Sequence, residues 1–515
     1  MIQLTLDKLR TSVGERIPEA LHARLQRIET HQAIAAWGTG IALVILLLQI
    51  HAAWMPTATA HPSAYVPALG VVIAVATIVS LYTGYLRLFE PDLIREPRRL
   101  YVLALITLMV FSAVWVLELL KASAYLSPMP AAAILMAVFL NPRIALFTVL
   151  LMALTAGATL GAGAPSALEG AGAVLVQIGG AVAAVFAVHR IRARADLARA
   201  GLFASLANVA LILALGALSG GGGATEIREW GIKAAWGAVG GVGSAVLAVG
   251  ILPYFEAIFD IVTPFKLLEL ANPAQPLLRL VLTKAPGTYH HSIMVGNLAE
   301  AAAESIGADA LLVRVGAYYH DIGKTKRPIF FVENQLGLDN AHDKLNPRLS
   351  ARVIIAHVEE GMELARAHRL PKDISDFIIT HHGKSLVSFF FHQAGQAEGP
   401  DAVAEEGFRY PGPRPWTKEQ AIVMLADITE ATMRTLKSPT VEQIEATVRR
   451  IISKRLADGE LSESPLTLQE LEIVAQTFIR ITQGLYHQRI EYPDQLLNDL
   501  GSKKHEGKKV GHPAR

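Results

Sequence analysis

The run Tyr318-Tyr319-His320-Asp321-Ile322-Gly323-Lys324 lies in the polar half of a chain of 515 residues. A His followed directly by an Asp sets an imidazole and a carboxylate on adjacent backbone positions. The carboxylate has two oxygens and can bridge two cations, while the imidazole can bind one of them. Gly323 permits the backbone to turn at a helix end. Lys324 then brings a positive charge beside the cations. A His-Asp dipeptide alone is common on solvated surfaces. Here it has company: His291 before it, and His357, His381, His382 and Asp427 after it.

Around this run the composition divides in two. Hydrophobic residues make up 52% of the chain and charged residues 18%, too apolar for an ordinary soluble protein. Residues 34–258 are dominated by Ala, Val, Leu, Ile and Gly, and residues 265–515 hold most of the charge. There is no Cys, which excludes disulfides and thiolate metal sites. A formal charge of +2 gives no footprint for a nucleic-acid polymer.

A bilayer core needs about 20 mainly apolar residues per helix. Eight stretches qualify, at 34–55, 65–88, 100–120, 124–140, 143–163, 171–189, 202–219 and 234–254. The fourth is short and has Pro128 and Pro130 near its start. A polytopic helical membrane domain over 34–258 is expected, because soluble helices carry a polar face and these do not. Basic residues gather in the N-terminal arm 1–33 and after the second, fourth and sixth stretches, with fewer in the alternate connections. This pattern puts both termini in the cytoplasm of a cell that holds the protein in its inner membrane. The first run is long and starts late, so it reads as a retained anchor. Glycines such as Gly237, Gly240, Gly241 and Gly243 suit close helix packing. Intramembrane charges that would mark a transport path are missing.

Residues 259–287 form a connector broken by Pro273, Pro276 and Pro286, with a short amphipathic helix around Leu267–Leu270. Pro253 should kink or end the last span. From 288 to 500 the apolar spacing is helical throughout, with no alternating run that reads as a strand. Thr288 is expected to cap a helix reaching Ile306. Further helices are expected at 309–321, 347–370, 372–382, 417–437, 440–457 and 467–487. The tail 501–515 is polar and basic and reads as disordered.

The fold class is therefore all-α, a membrane domain followed by a cytosolic helical domain. His357 sits between Ile354 and Val358, and Asp427 lies inside an apolar run from Ile422 to Ile428. A carboxylate there needs a partner. Taken singly, His357 reads equally well as a core His on a backbone carbonyl, and Asp427 as a buried ion pair. Seven such residues together are harder to explain in that way.

The strings Ala285-Pro286-Gly287-Thr288-Tyr289-His290-His291-Ser292, Tyr319-His320-Asp321-Ile322-Gly323-Lys324, Phe331-Val332-Glu333-Asn334-Gln335, His381-His382-Gly383 and Phe408-Arg409-Tyr410-Pro411-Gly412-Pro413 resemble the HD-domain phosphohydrolases. The match is closest to the seven-transmembrane branch, the PgpH-type cyclic di-AMP phosphodiesterases, and covers about 65–487. The resemblance implies two divalent cations, one on His291, His320, Asp321 and Asp427, the other on His357, His381, His382 and Asp321. Without thiolate, iron or manganese suits such ligands. Such ions would acidify a water for attack on phosphorus, with Asp321 and Lys324 as catalytic groups. The implied reaction opens a cyclic dinucleotide, cyclic di-AMP, to linear pApA. Lys324, Arg327 and Tyr410 are candidate substrate contacts, with Phe389, Phe390 and Phe391 as further stacking candidates. The lipid bilayer is the other partner, and a homo-oligomer is compatible with the sequence. A membrane sensor that binds nucleotide without turnover is the rival reading. One departure stands out: relatives usually carry a large extracytoplasmic domain after the first span, and here only 56–64 intervene.

Overall fold

The computed structural model describes residues 65–485, apart from 161–166, 189–192, 194, 221–222, 336–338, 400–402 and 437. The first expected span at 34–55, the arm before it, the connection 56–64 and the tail 501–515 lie outside the described residues. Among the described residues the fold is all-helical, and the sole β-pairing is an isolated antiparallel bridge between Leu386 and Arg409. The chain divides into two compact units between Lys266 and Leu267.

The first unit contains α1 (Tyr65–Phe89), α2 (Pro91–Arg95), α3 (Pro97–Leu119), α4 (Met129–Phe139), α5 (Pro142–Leu160), α6 (Ala167–Val188), α7 (Ala195–Leu218) and α8 (Ala224–Phe259). Four described helices are long and apolar enough to cross a membrane: Pro97–Leu117, Gly170–Val188, Ala195–Leu218 and Ala224–Phe259. Phe186, Leu206 and Val246 lie exposed on their surfaces, as lipid-facing side chains do. The fourth expected span is only the 11-residue α4, too short to cross a bilayer alone. Pro128 caps its start and Pro130 falls in its first turn. Nearly all of α4 is buried, packed against α3, α5, α6, α7 and α8.

Pro253 does not end the last span; α8 runs through it to Phe259. A proline removes one helix hydrogen bond at a cost of about 3 kcal/mol. Breaking the helix in an apolar stretch leaves several backbone groups unpaired, which costs more. Small residues let α7 and α8 approach closely. A Cβ added at Gly241 would lie 2.5 Å from Ser205 N, so no larger residue fits there.

Beyond α9 (Pro264–Leu270), which spans the division, the second unit holds α10 (Pro276–Lys284), α11 (Pro286–Ile306), α12 (Ala310–Tyr319), α13 (Pro347–Ala367), α14 (Lys372–Thr380), α15 (Ser388–Glu398), α16 (Lys418–Thr435), α17 (Val441–Ala457) and α18 (Leu468–Leu485). Its main core joins Val295, Leu298, Val313, Phe377, Ile422, Leu425, Val448 and Phe478 from six helices. Side-chain caps set several starts. Asp309 accepts from Leu312 N, Asn346 from Leu349 N, Thr417 from Gln420 N and Thr440 from Gln443 N, each worth about 1 kcal/mol.

Thr288 is not a cap. Helix α11 begins earlier, with Pro286 in its first turn, where a missing N–H costs nothing. Thr288 N instead donates to Asn334 Oδ1 at 3.1 Å. Thr429, which interrupts the apolar stripe of α16, is buried and returns its hydroxyl to Leu425 O at 2.7 Å.

Candidate metal centre

Four helix ends and faces converge on Asp321. Helix α12 stops at Tyr319, and a 3-10 turn over Ile322–Lys326 follows directly. His320 and Asp321 sit at that corner, at 0% and 1% relative exposure. Gly323 serves here by having no side chain: a Cβ would meet His357 O at 1.8 Å and Gly361 N at 2.6 Å. The corner therefore rests directly on the backbone of α13, which carries His357. The sequence suggests a turn-forming role for Gly323; the structure uses it for close approach.

The two oxygens of Asp321 face different histidines. Oδ2 lies 3.2 Å from His320 Nε2 and 3.5 Å from His291 Nε2. Oδ1 lies 3.4 Å from His357 Nε2 and 3.6 Å from His381 Nε2. Asp427, from α16, places Oδ1 3.0 Å from His291 Nε2 and 3.8 Å from His320 Nε2, with Oδ2 3.9 Å from His382 Nδ1. The ligand atoms fall into three tight groups: His291, His320 and Asp427; His320, Asp321 and His381; and His357, His381 and His382. All seven residues expected from the sequence thus meet at one corner.

The far ring nitrogens are anchored. His320 Nδ1 donates to Ala317 O at 2.6 Å, His357 Nδ1 to Ile354 O at 2.5 Å, and His381 Nδ1 to Ile378 O at 3.0 Å. His291 Nδ1 pairs with Glu430. These bonds set the rings so that Nε2 of each faces the carboxylates, the arrangement that metal-binding histidines use. Yet His320 Nε2 and both Asp321 oxygens are buried with no hydrogen-bond partner. The contacts of 3.2–3.6 Å are close but not aligned as hydrogen bonds. A buried cluster of imidazole nitrogens and carboxylate oxygens that includes such unpartnered atoms fits metal ions.

Lys324 Nζ lies 2.6 Å from Asp321 Oδ2 and 3.0 Å from Glu333 Oε1, with its ammonium over the Phe331 ring. Burial disfavours its charge, but Asp321 and Glu333 outweigh that and raise its pKa, so it stays an ammonium. Burial would raise Asp321, but His320 and Lys324 hold it well below the ordinary carboxylate range. Burial also opposes charge on His320, yet the carboxylates of Asp321 and Asp427 push it up to about 10. His357 is pushed down to about 3 by burial.

The weaker candidates are placed as follows. The Tyr410 ring stacks on His382 with centroids 4.1 Å apart, at 8% exposure, so one face is taken. Arg327 Nη2 is 2.9 Å from Glu360 Oε1. Phe390 belongs to a small core with Ala351 and Phe408, and Phe391 packs against it, while Phe389 is exposed. Sequence reasoning missed Glu430 and Glu333. Glu430 stands one helical turn after Asp427, hence on the same face. Glu333 lies inside a quoted string without any mark of what it touches.

A family model described as 7TM receptor with intracellular HD hydrolase matches residues 65–263, and an HD domain model matches 288–432. The cyclic-di-AMP phosphodiesterase PgpH of Bacillus subtilis is 39% identical over 83% of this chain and 60% of its own length. Its namesake in Listeria monocytogenes is 37% identical over 82% of this chain and 58% of its own length. The chain therefore spans about three fifths of these relatives. A crystal structure of the L. monocytogenes PgpH HD domain in complex with cyclic-di-AMP is 47% identical, covering 42% of this chain and 100% of that one, with a TM-score of 0.40. Along this chain the family models thus find a 7TM region followed by an HD domain, in that order.

Proposed function

We propose that the chain is a phosphodiesterase that opens a cyclic dinucleotide, cyclic di-AMP, to linear pApA at a two-cation centre. The observation that carries this is the division of Asp321, whose two oxygens face two separate histidine sets. His291, His320, Asp427 and Asp321 Oδ2 would hold one cation; His357, His381, His382 and Asp321 Oδ1 would hold the other. Iron or manganese suits these nitrogen and oxygen donors. When bound, the ions supply Lewis acidity and an acidified water for hydrolysis of the phosphodiester.

The remaining work falls to side chains. His320, His357 and His381 are held by backbone carbonyls with Nε2 inward, so little rearrangement precedes binding. Lys324 keeps its proton and brings positive charge against phosphoryl oxygens. Glu333 holds that ammonium in place from the other side. Arg327 is a second phosphate contact once it leaves Glu360. Tyr410 offers only its hydroxyl edge, because its face secures His382. Breakage of the bond to the ribose 3′ oxygen leaves a 5′ phosphate on the linear product. The choice of adenine rests on the relatives named cyclic-di-AMP phosphodiesterase. The alternation of basic connections supports a centre on the cytoplasmic side, with both termini there.

Purified full-length protein in detergent, incubated with manganese and cyclic di-AMP, tests this. Linear pApA from the wild type and none from Asp321→Ala is the expected result. Binding without turnover in the metal-loaded wild type would instead favour a nucleotide sensor.

A further inference from the structure

Glu460 follows α17 and has no place in the ligand set, yet it is only 1% exposed. Its carboxylate rests against the turn that follows His381 and His382. Oε2 accepts a hydrogen bond from Lys384 N at 2.9 Å. Between them Gly383 holds φ +54°, and a Cβ there would lie 2.2 Å from the same oxygen. The left-handed backbone and the missing side chain are both required for Glu460 to reach the turn.

Burying a carboxylate is costly unless it is partnered. The nearest guanidinium atom of Arg414 is 3.9 Å away, beyond hydrogen-bond reach. Arg455 lends this carboxylate favourable charge, and the backbone of the turn supplies its hydrogen bond. The turn is tied on its other side too. Arg455 Nη1 donates to Ser385 Oγ at 2.6 Å, and Tyr410 N donates to Ser385 O at 3.0 Å.

We propose that Glu460 is a positioning residue: its carboxylate clamps the backbone at Lys384 and so fixes the direction in which His381 and His382 leave α14. This rests on the two-cation reading above. Glu460 touches neither ligand atom nor substrate; it acts through the turn. What matters is an acceptor at the right reach, not its charge.

Manganese titrated calorimetrically into the full-length protein in detergent separates these features. Glu460→Ala removes the acceptor, Glu460→Asp keeps the charge but falls short, and Glu460→Gln keeps an oxygen at the right reach. Ala and Asp variants are expected to lose about 10–100-fold in affinity for one of two cations, as the loss of such supports usually does. Glu460→Gln should stay close to wild type, and kcat in the weakened variants should recover at saturating manganese. Gly383→Ala should copy Glu460→Ala, and the double variant should be no worse than either alone. Full affinity in the Ala and Asp variants overturns the proposal, as does a Gln variant as weak as Ala. If Glu460→Ala does not fold by circular dichroism, the Asp and Gln pair decides alone. A wild type that binds no manganese sinks the metal centre itself, a separate failure.

Discussion

The second unit gathers buried polar side chains from distant segments into one cluster, while many buried hydroxyls of the membrane unit are held locally. In the membrane unit, several buried hydroxyls bond within their own helix: Thr107 bonds Leu103 O, Thr148 bonds Ile144 O and Thr155 bonds Leu151 O. Each is a local solution, four residues apart, that any apolar helix can offer. In the second unit, buried His291, His320, Asp321, His357, His381 and Asp427 come from five separate segments, and His320 Nε2 and both Asp321 oxygens lie among them without a hydrogen-bond partner. That is a solution by convergence, and it suits cations at the centre. The difference predicts where substitutions hurt. Changes in the second unit should strike chemistry, and changes in the first should strike packing.

Asp321→Ala should have the largest effect, because it removes both oxygens at which the two histidine sets meet. A loss of at least about 10³-fold in kcat is expected, with the helical circular dichroism signal retained. Activity within tenfold of wild type would break the contrast. Lys324→Ala should lower kcat by about 10²-fold, by removing charge at the phosphoryl group. Its metal content should not fall, which separates it from Asp321→Ala. Glu430→Ala frees the His291 ring and should weaken manganese affinity by about 10–100-fold, read by calorimetry.

In the membrane unit, Gly241→Leu forces a side chain into Ser205. It should cost about 1–3 kcal/mol of stability, seen as a lower Tm in detergent, while manganese affinity per folded molecule stays unchanged. The smallest effect is one of pH in the metal-free protein. His357 stays neutral down to about pH 3 when folded, whereas the unfolded chain takes up that proton near 6.5. The unfolded state then binds more protons, so this contribution falls as pH drops below about 6.5. His320 is raised to about 10, so its contribution is full below about 6.5 and is lost as pH rises towards 10. Metal-free Tm should therefore peak near neutrality. Bound manganese should shift the optimum upward, because ligation requires His320 to be neutral.

Much of this was legible in the chain. The ligand types and the helices that carry them follow from the His-Asp run and the apolar spacing around His357 and Asp427. Sequence spacing could not show that Gly323 lies on the backbone of α13, because that approach joins segments more than thirty residues apart. Glu460 was silent for the same reason: it reads as one more charge after a helix. The shortness of α4 was hinted at by Pro128 and Pro130, but its burial among five helices depends on packing. Of the two outcomes expected at Pro253, a kink or an end, the end does not occur, because a local helix-breaking rule is outweighed by the cost of unpaired backbone in an apolar setting.

The most direct test is metal analysis of the full-length protein loaded with manganese or iron and desalted. The account predicts about two equivalents per chain in the wild type and a clear loss in Asp321→Ala. A folded wild type that retains no metal would contradict it.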